Sequence, residues 1–361
     1  MNSSNQPLNL ILSGGGIKGF AFVGAYEELE NRYRNIGNIA GVSAGALVGS
    51  LIGAGYTSRE LMKILKEFDF SILKLRSGDY LDISIKDKIR ALSEEKRYVS
   101  DSDIEALLYR QDYPELKLVK RGRDEFRGTR GNFLSNLIGF SKQNAFFDGE
   151  LLEKWVAQLL ANKGIYNFSD FRGGIPDKVN PRGYKVRMTA VDANAGKVVV
   201  LPDDIAFYNI DPDKFEVAKA VRMSACVPFA FDPCVLLKKE NNHIYQHYIF
   251  DGGVLDNFPV WLIDSSTQQN NIIGLKLQGK EPKELAKTEN MLKKLLSNSH
   301  DTGVPKSSYN IDNIALINTG SISFLDFDIG RDEVMFLYEQ GKAAVQKLAV
   351  NMRKRSKGWK A

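Results

Sequence analysis

The stretch Gly41-Val42-Ser43-Ala44-Gly45 constrains this chain most, because it reads G-x-S-x-G between an apolar run and a run of small residues. The apolar run from Ile36 predicts a strand, and the run from Ala46 to Gly55 predicts a helix. A serine between them lies on a tight turn, where the flanking Gly41 and Gly45 let the backbone bend and leave the hydroxyl accessible. This predicts Ser43 as a nucleophile, although the pattern alone is weak evidence.

The same segment has a second interpretation as a membrane helix. No charged residue occurs from Ile39 to Tyr56, and glycine recurs at every fourth position from Gly41 to Gly53. Length and small-residue spacing of this kind are typical of packed membrane helices. The run contains few large apolar residues, and its first part is better explained as strand and turn. We therefore expect a buried helix whose glycines let it pack closely against a sheet.

A glycine loop precedes this unit. Leu8 to Leu12 predicts a strand, the loop Gly14-Gly15-Gly16-Ile17-Lys18-Gly19 follows, and Ala21 to Arg32 predicts a helix. The loop matches G-x-G-x-x-G, but a dinucleotide site needs an acidic residue after the next strand, where Ser43 lies instead. A phosphate loop needs Ser or Thr after Lys18, where Gly19 lies. We favour N–H groups that stabilise a negative oxygen beside Ser43.

The remaining pattern alternates strands and helices and predicts an α/β sheet flanked by helices. Thr57 and Glu60 form a capping box at the start of one helix. Further strands are predicted over 185–191, 197–201, 247–250, 272–277 and 314–317, and further helices over 151–160, 215–223, 285–296 and 332–352. A second capping box is expected at Ser102 and Glu105, and an N-cap at Asp148.

Residues 69–147 are irregular and carry a basic cluster followed by a short apolar stretch. The cluster comprises Lys117, Lys120, Arg121, Arg123, Arg127 and Arg130. Such a segment can lie on an anionic membrane, or its apolar side can cover the core while its charges are solvated. Both interpretations stay open. The same holds for the basic residues 349–361, which could bind anionic headgroups or only aid solubility.

A serine nucleophile needs a base, and the chain has three histidines. In the order serine, acid, histidine, only His300 could follow an acid such as Asp251 or Asp264, and it lies in a polar stretch. His243 and His247 are expected to be structural. Asp251 is the preferred base, because a partly desolvated carboxylate at a strand end can accept the serine proton directly. The following Gly252 and Gly253 allow another backbone to approach.

Composition is that of an ordinary globular protein of 361 residues, with a net charge of +5. An anionic surface is a plausible partner for such a charge, although solubility explains it equally. Cys226 and Cys234 lie in apolar surroundings, which favours reduced thiols in a reducing compartment. No secretory signal is visible. We expect a cytoplasmic protein, without a transmembrane span, that associates peripherally with membranes.

Together the glycine loop, the serine motif and Asp251-Gly252-Gly253 resemble the patatin-like phospholipase family. Residues 221–229, 254–260 and 325–348 extend the resemblance. Lys18 stands where the family usually has arginine, and Gly253 where it more often has alanine. The resemblance implies a three-layer α/β/α sandwich with a mostly parallel sheet, a catalytic domain over residues 8–348 and an inserted cover region at about 69–147. Residues 349–361 would form a basic tail.

The resemblance also implies a Ser43–Asp251 dyad that uses no metal and no cofactor. Gly14, Gly15 and Gly16 would donate N–H groups to the oxyanion, with Lys18 nearby and Gly19 completing the motif. The substrates would be phospholipids, lysophospholipids or neutral acylglycerols at a phospholipid membrane surface, with no nucleic acid partner and an activator left open. The alternatives are an acyltransferase or thioesterase with the same dyad, and a lipid- or nucleotide-binding protein without catalysis.

Overall fold

A computed structural model describes residues 6–67, 117–118, 147, 149–228, 230–231, 233–240, 243–264, 271–280, 313–326 and 329–358. The predicted helix at 285–296, the Ser102–Glu105 box, Asp148, His300 and most of the irregular region lie outside these residues. Of that region, the structure describes the two-residue strand Lys117–Leu118 and the isolated residue Phe147.

Nine strands form one mixed sheet in the described part of the chain. They are β1 (Leu8–Leu12), β2 (Ile36–Val42), β3 (Lys117–Leu118), β4 (Val186–Asp192), β5 (Lys197–Leu201), β6 (Cys234–Glu240), β7 (His243–Asp251), β8 (Ile272–Gln278) and β9 (Ile314–Asn318). The order is β3-β7-β4-β2-β1-β8-β9, with β5 paired to β4 and β6 paired to β7. Along the path β4-β2-β1-β8-β9, all neighbouring strands are parallel. The pairs β4–β5, β4–β7 and β6–β7 are antiparallel.

Six α-helices connect and flank these strands in the described residues. They are α1 (Phe20–Glu30), α2 (Ala44–Gly53), α3 (Ser58–Glu67), α4 (Gly149–Ala161), α5 (Val217–Ser224) and α6 (Arg331–Gly358). α1 packs against α6 and α3, whereas α2 packs against β2, β4 and α5. No helix within the described ranges combines the length and apolar character that crossing a membrane requires.

The central strands are buried on both faces, which explains why they read as continuous apolar runs. Leu10 and Leu12 of β1 belong to the main core, whereas Ile11 between them belongs to a second cluster with Leu262 and Ile263. This alternation is the expected two-residue period of a strand. Helices therefore cover one face of the sheet at this point, and the segment around Leu262 covers the other.

The glycines of α2 have the role that their spacing predicts. A Cβ atom at Gly45 would lie 2.4 Å from the Leu12 carbonyl oxygen, and one at Gly53 would lie 2.4 Å from the Val186 Cγ2 atom. The stripe therefore brings α2 onto β1 and β4, and the interpretation as a packed membrane helix is wrong. The capping box at Thr57 is also confirmed, since the Thr57 N–H donates to Glu60 Oε2 at 2.8 Å.

Several elements differ from the predictions; β7, for example, begins at His243 rather than at His247. β6 was not predicted, because Cys234 to Glu240 lacks a regular apolar alternation. In the described sheet this strand pairs with β7 alone. α6 extends to Gly358, beyond the predicted end at Met352, so most residues assigned to a basic tail are helical. Cys226 and Cys234 are buried free thiols, as expected.

Candidate active site

Ser43 lies at the turn between β2 and α2 and adopts φ 55° and ψ −122°. A positive φ is uncommon outside glycine and persists only where the surrounding structure holds it. A Cβ atom at Gly41 would lie 2.5 Å from the Gly45 carbonyl oxygen, so only glycine allows the strand and helix to meet this closely. The turn has the geometry of a nucleophile elbow, with Ser43 itself 4% exposed.

The glycine loop passes directly beside Ser43. A Cβ atom built on Gly14 would lie 3.3 Å from the Ser43 Cβ atom. The Gly14 N–H donates to the Asn257 carbonyl oxygen at 3.2 Å, so this predicted oxyanion donor already has an acceptor in the structure. Neither Gly15 nor Gly16 has an acceptor for its N–H among the described residues. These two groups are the loop's donors that remain for a negative oxygen.

Lys18 is buried in the short 3-10 helix Gly16–Gly19, with 7% of the residue exposed. Its Nζ atom lies 5.9 Å from the centre of the Phe324 ring. Gly19 packs the end of this helix against α2, since a Cβ there would lie 3.1 Å from the Ala44 Cβ atom. Lys18 is therefore a buried residue of the glycine loop and not a solvated surface charge.

Asp251 is the last residue of β7 and is 4% exposed. It reaches the neighbourhood of Ser43 through β4, which pairs with both flanking strands. Val42 pairs with Thr189 on one side of β4, and Ala190 pairs with Asp251 on the other. One Asp251 carboxylate oxygen, Oδ1, accepts the Gly253 N–H at 2.7 Å, which stabilises the charged form.

Asn257 and Ser224 also belong to the site, although no motif assigned either a role there. The Asn257 Oδ1 atom would lie 2.2 Å from a Cβ at Gly14 and 2.7 Å from a Cβ at Gly253, so the two glycines and this amide come together. The Ser224 hydroxyl contacts the Ser43 backbone. Both residues lie in stretches that resemble the family, which was the available signal, but local sequence did not indicate their contacts.

The histidines are placed as predicted where they are described. The His247 Nδ1 atom lies 2.6 Å from Asp192 Oδ2, the same oxygen that accepts from the Tyr208 hydroxyl at 2.8 Å. Burial raises the pKa of Tyr208, and the neighbouring Asp192 charge raises it further. His247 is thus structural, and His243 lies exposed at the start of β7.

An apolar pocket opens beside Ser43. Apart from Ser43, its walls consist of glycine and of apolar side chains: Gly16, Ile17, Gly19, Phe20, Ala44, Leu47, Val48, Leu65, Leu152, Ala225, Val227, Phe231, Phe324 and Leu325. Such a pocket suits an alkyl chain attached to a group that reacts at Ser43. Among the described side chains, no cluster of three or more His, Cys, Asp or Glu residues could hold a metal ion.

Comparisons with known proteins identify the family of this chain. The model of the patatin-like phospholipase family matches residues 10–264. The chain is 31% identical to YqhO of Bacillus subtilis over 339 residues, which is 92% of this chain and 94% of YqhO. It is 24% identical over 251 residues to a probable lipid hydrolase, 463L, of Invertebrate iridescent virus 6, covering 70% of this chain and 61% of that protein.

Among solved structures, the fold is similar to that of VipD from Legionella pneumophila. The TM-score is 0.51 at 16% sequence identity, and the match covers 96% of this chain and 67% of VipD.

Proposed function

Since the chain belongs to the patatin-like phospholipase family and is accordingly a lipid hydrolase, we propose that it cleaves fatty acyl esters of phospholipids or lysophospholipids through an acyl-enzyme on Ser43. The observation that carries this proposal is the buried, positive-φ Ser43 turn. It lies between an apolar pocket, two N–H groups that have no acceptor among the described residues, and the end of the strand that carries Asp251. These are the parts that acyl transfer requires.

In the proposed reaction, the Ser43 hydroxyl oxygen attacks the ester carbonyl while Asp251 takes its proton. The N–H groups of Gly15 and Gly16 donate to the oxyanion, and each such donor typically contributes about 100- to 1000-fold in rate. The buried Lys18 adds positive charge to the same loop. The carbon–oxygen bond to the alcohol then breaks, and the alcohol leaves with the proton. Water, activated by Asp251, cleaves the acyl-enzyme and restores Ser43.

The pocket supports a fatty acyl chain as the part of the substrate that is bound. Its described side chains are apolar, and burying each methylene group of a ligand gains about 0.8 kcal/mol. A charged headgroup would find no partner in these walls. We therefore propose that this pocket selects substrates by their acyl chain and not by their headgroup.

We also propose that the protein works peripherally on a phospholipid membrane surface. Arg353 and Lys354 are exposed near the end of α6, and each cation close to an anionic surface contributes about 1 kcal/mol of binding. The basic cluster at 117–130 would add to this attraction. Cosedimentation with anionic vesicles tests the proposal, which requires that binding weaken when Arg353 and Lys354 are replaced by glutamate.

The decisive experiment measures fatty acid release from mixed phospholipid vesicles in EDTA. Wild type should release fatty acid, whereas Ser43→Ala and Asp251→Asn should lose at least about 1000-fold. Matched controls are Ser50→Ala, which removes another buried serine hydroxyl, and Asp192→Asn, which alters a buried carboxylate on the neighbouring strand. Both controls should retain release.

Three outcomes would count against the proposal. Undiminished release by Ser43→Ala would exclude the acyl-enzyme. Release that survives in Asp251→Asn but disappears in His300→Gln would show that Asp251 is not the base. Transfer of the acyl chain to an added alcohol, without free acid, would identify an acyltransferase instead.

A further inference from the structure

Ser224, the last residue of α5, forms a buried bridge between the Ser43 turn and β4. It is fully buried, its hydroxyl oxygen accepts the Ser43 N–H at 2.9 Å, and its hydroxyl donates to the Thr189 carbonyl oxygen at 2.7 Å. Since the only hydroxyl hydrogen is directed at Thr189, the oxygen lone pairs face Ser43. The directions of both hydrogen bonds are thus determined.

The bond to Ser43 acts on a residue whose backbone adopts a positive φ. Ser43 adopts φ 55°, a conformation that a serine keeps only when its surroundings impose it. Its N–H precedes the first turn of α2, where helical N–H groups have no partner within the helix. Without the Ser224 oxygen this buried N–H would lose the acceptor that the structure provides, and the turn would lose a restraint at the nucleophile itself.

The residues that follow Ser224 also hold Asp251. The Asp251 N–H donates to the Cys226 carbonyl oxygen at 2.8 Å, two residues after Ser224. The Thr189 carbonyl oxygen lies against the same turn, since a Cβ at Gly252 would be only 2.4 Å from it. The end of α5 therefore touches the backbones of both proposed dyad residues, one through a side chain and one through a carbonyl group.

We propose that Ser224 is a positioning residue, which together with the Cys226 carbonyl group sets the distance between the Ser43 hydroxyl and the Asp251 carboxylate. This inference rests on the proposed Ser43 chemistry. Ser224 does not touch the reacting atoms, and it acts by orienting the turn that carries the nucleophile. A displacement of about 1 Å at a reacting group can cost about 100-fold in rate.

The test compares two buried serines that differ in what their hydroxyl groups hold. Ser224→Ala should lower kcat for a short p-nitrophenyl ester about 10- to 100-fold with little change in KM, because the ester still enters the pocket while the nucleophile is misplaced. Ser50→Ala is the matched control, since Ser50 is equally buried but donates to the Ala46 carbonyl oxygen within α2 at 2.7 Å. It should stay within about threefold of wild type.

A fluorophosphonate that labels active-site serines gives a second readout of the same effect. Labelling of Ser43 should slow in Ser224→Ala by the same factor as kcat, and Ser224→Thr, which keeps the hydroxyl, should restore most of the rate. Thermal melts of each variant identify any loss that reflects unfolding. If Ser224→Thr fails to fold, the positioning role is decided by the ratio of the Ser43 labelling rates of Ser224→Ala and Ser50→Ala. Both rates are measured well below the melting temperatures of the two variants.

The outcomes separate the two levels of the proposal. If Ser43 of wild type is not labelled, as mass spectrometry of the modified peptide would show, the proposed function fails and Ser224 has no nucleophile to position. If wild type is labelled and folded Ser224→Ala reacts as fast as Ser50→Ala, the function stands and the positioning role is rejected. A rise in KM at unchanged kcat would equally reject it.

Discussion

At the residue scale, the site depends on a few backbone conformations that side chains rarely adopt. Ser43 is one of two non-glycine residues with positive φ in the described chain, and Gly16 in the neighbouring loop has φ +55°. Gly16 is restricted twice, because a Cβ atom there would also lie 2.0 Å from the Phe324 carbonyl oxygen. Its N–H is one of the two proposed oxyanion donors. The φ angle, the contact with Phe324 and the proposed N–H donor therefore all depend on glycine at this position.

We expect Gly16→Ala to lower the free energy of unfolding well beyond the cost of its φ angle. The matched variant is Gly55→Ala, because Gly55 also has positive φ, +92°, but a Cβ atom there would meet nothing within 4 Å. Gly55→Ala should cost about 1–2 kcal/mol, the usual penalty of a left-handed alanine, and Gly16→Ala about 2 kcal/mol more. Urea unfolding of both variants measures the difference, and equal losses would contradict the contact with Phe324.

At the element scale, α3 shows how a local motif connects distant helices. Besides its reciprocal bonds with Thr57, the Glu60 carboxylate accepts a hydrogen bond from the Lys163 ammonium group at 3.0 Å. The Thr57 backbone N–H, with Lys163 and the Thr57 hydroxyl, lowers the pKa of Glu60 from 4.5 to about 2. Since the Glu60 side chain is 45% exposed, solvent screens these interactions and limits their contribution to stability.

The direction of this pKa shift predicts a pH dependence. A carboxylate with a lowered pKa in the folded state stabilises the protein above about pH 4.5, and this contribution disappears as the pH falls towards 2. Glu60→Ala should therefore cost about 0.5–1 kcal/mol at pH 7 and progressively less from pH 4.5 downwards. Denaturant titrations at several pH values measure this. The control Glu67→Ala removes a 65% exposed carboxylate of the same helix and should cost less than about 0.5 kcal/mol.

A difference between Glu60→Ala and wild type that stayed constant from pH 7 to pH 3 would show that Glu60 stabilises α3 without its charge.

At the scale of the whole molecule, elements distant in sequence form the pocket. α2 and α3 contribute Leu47 and Leu65, α4 contributes Leu152, and Phe324 comes from the segment between β9 and α6. Leu47 is only half-buried, so its side chain borders open space rather than filling the core. It is therefore a position at which a larger side chain can narrow the pocket without replacing a fully buried core residue.

We expect Leu47→Trp to change the selectivity for acyl chain length. The larger ring would occupy space that a long chain needs, so kcat/KM for long-chain p-nitrophenyl esters should fall at least about tenfold while the acetate ester changes less than about threefold. Leu47→Ala, which enlarges the same space, should leave long chains accepted. An equal loss on acetate and long-chain esters after Leu47→Trp would place the chain elsewhere.

The elements that were predictable are those whose cause is local. The Ser43 turn follows from two glycines around a serine, the packing of α2 follows from a glycine at every fourth position, and the capping box follows from Thr57 and Glu60. Each depends on backbone preferences or periodicity within about ten residues. The sequence by itself therefore determined the class of fold, the turn that carries Ser43 and the strand end that carries Asp251.

Only the tertiary structure decided how these parts meet. The Ser224 hydroxyl bonds a backbone 181 residues away, and Asp251 comes near Ser43 because antiparallel β7 ends beside β4. The Gly14 N–H is likewise engaged by the distant Asn257 carbonyl oxygen. Such contacts are set by strand order and register, which depend on the packing of the whole sheet. No local pattern encodes them, because each partner satisfies the same local rules whichever strand lies beside it.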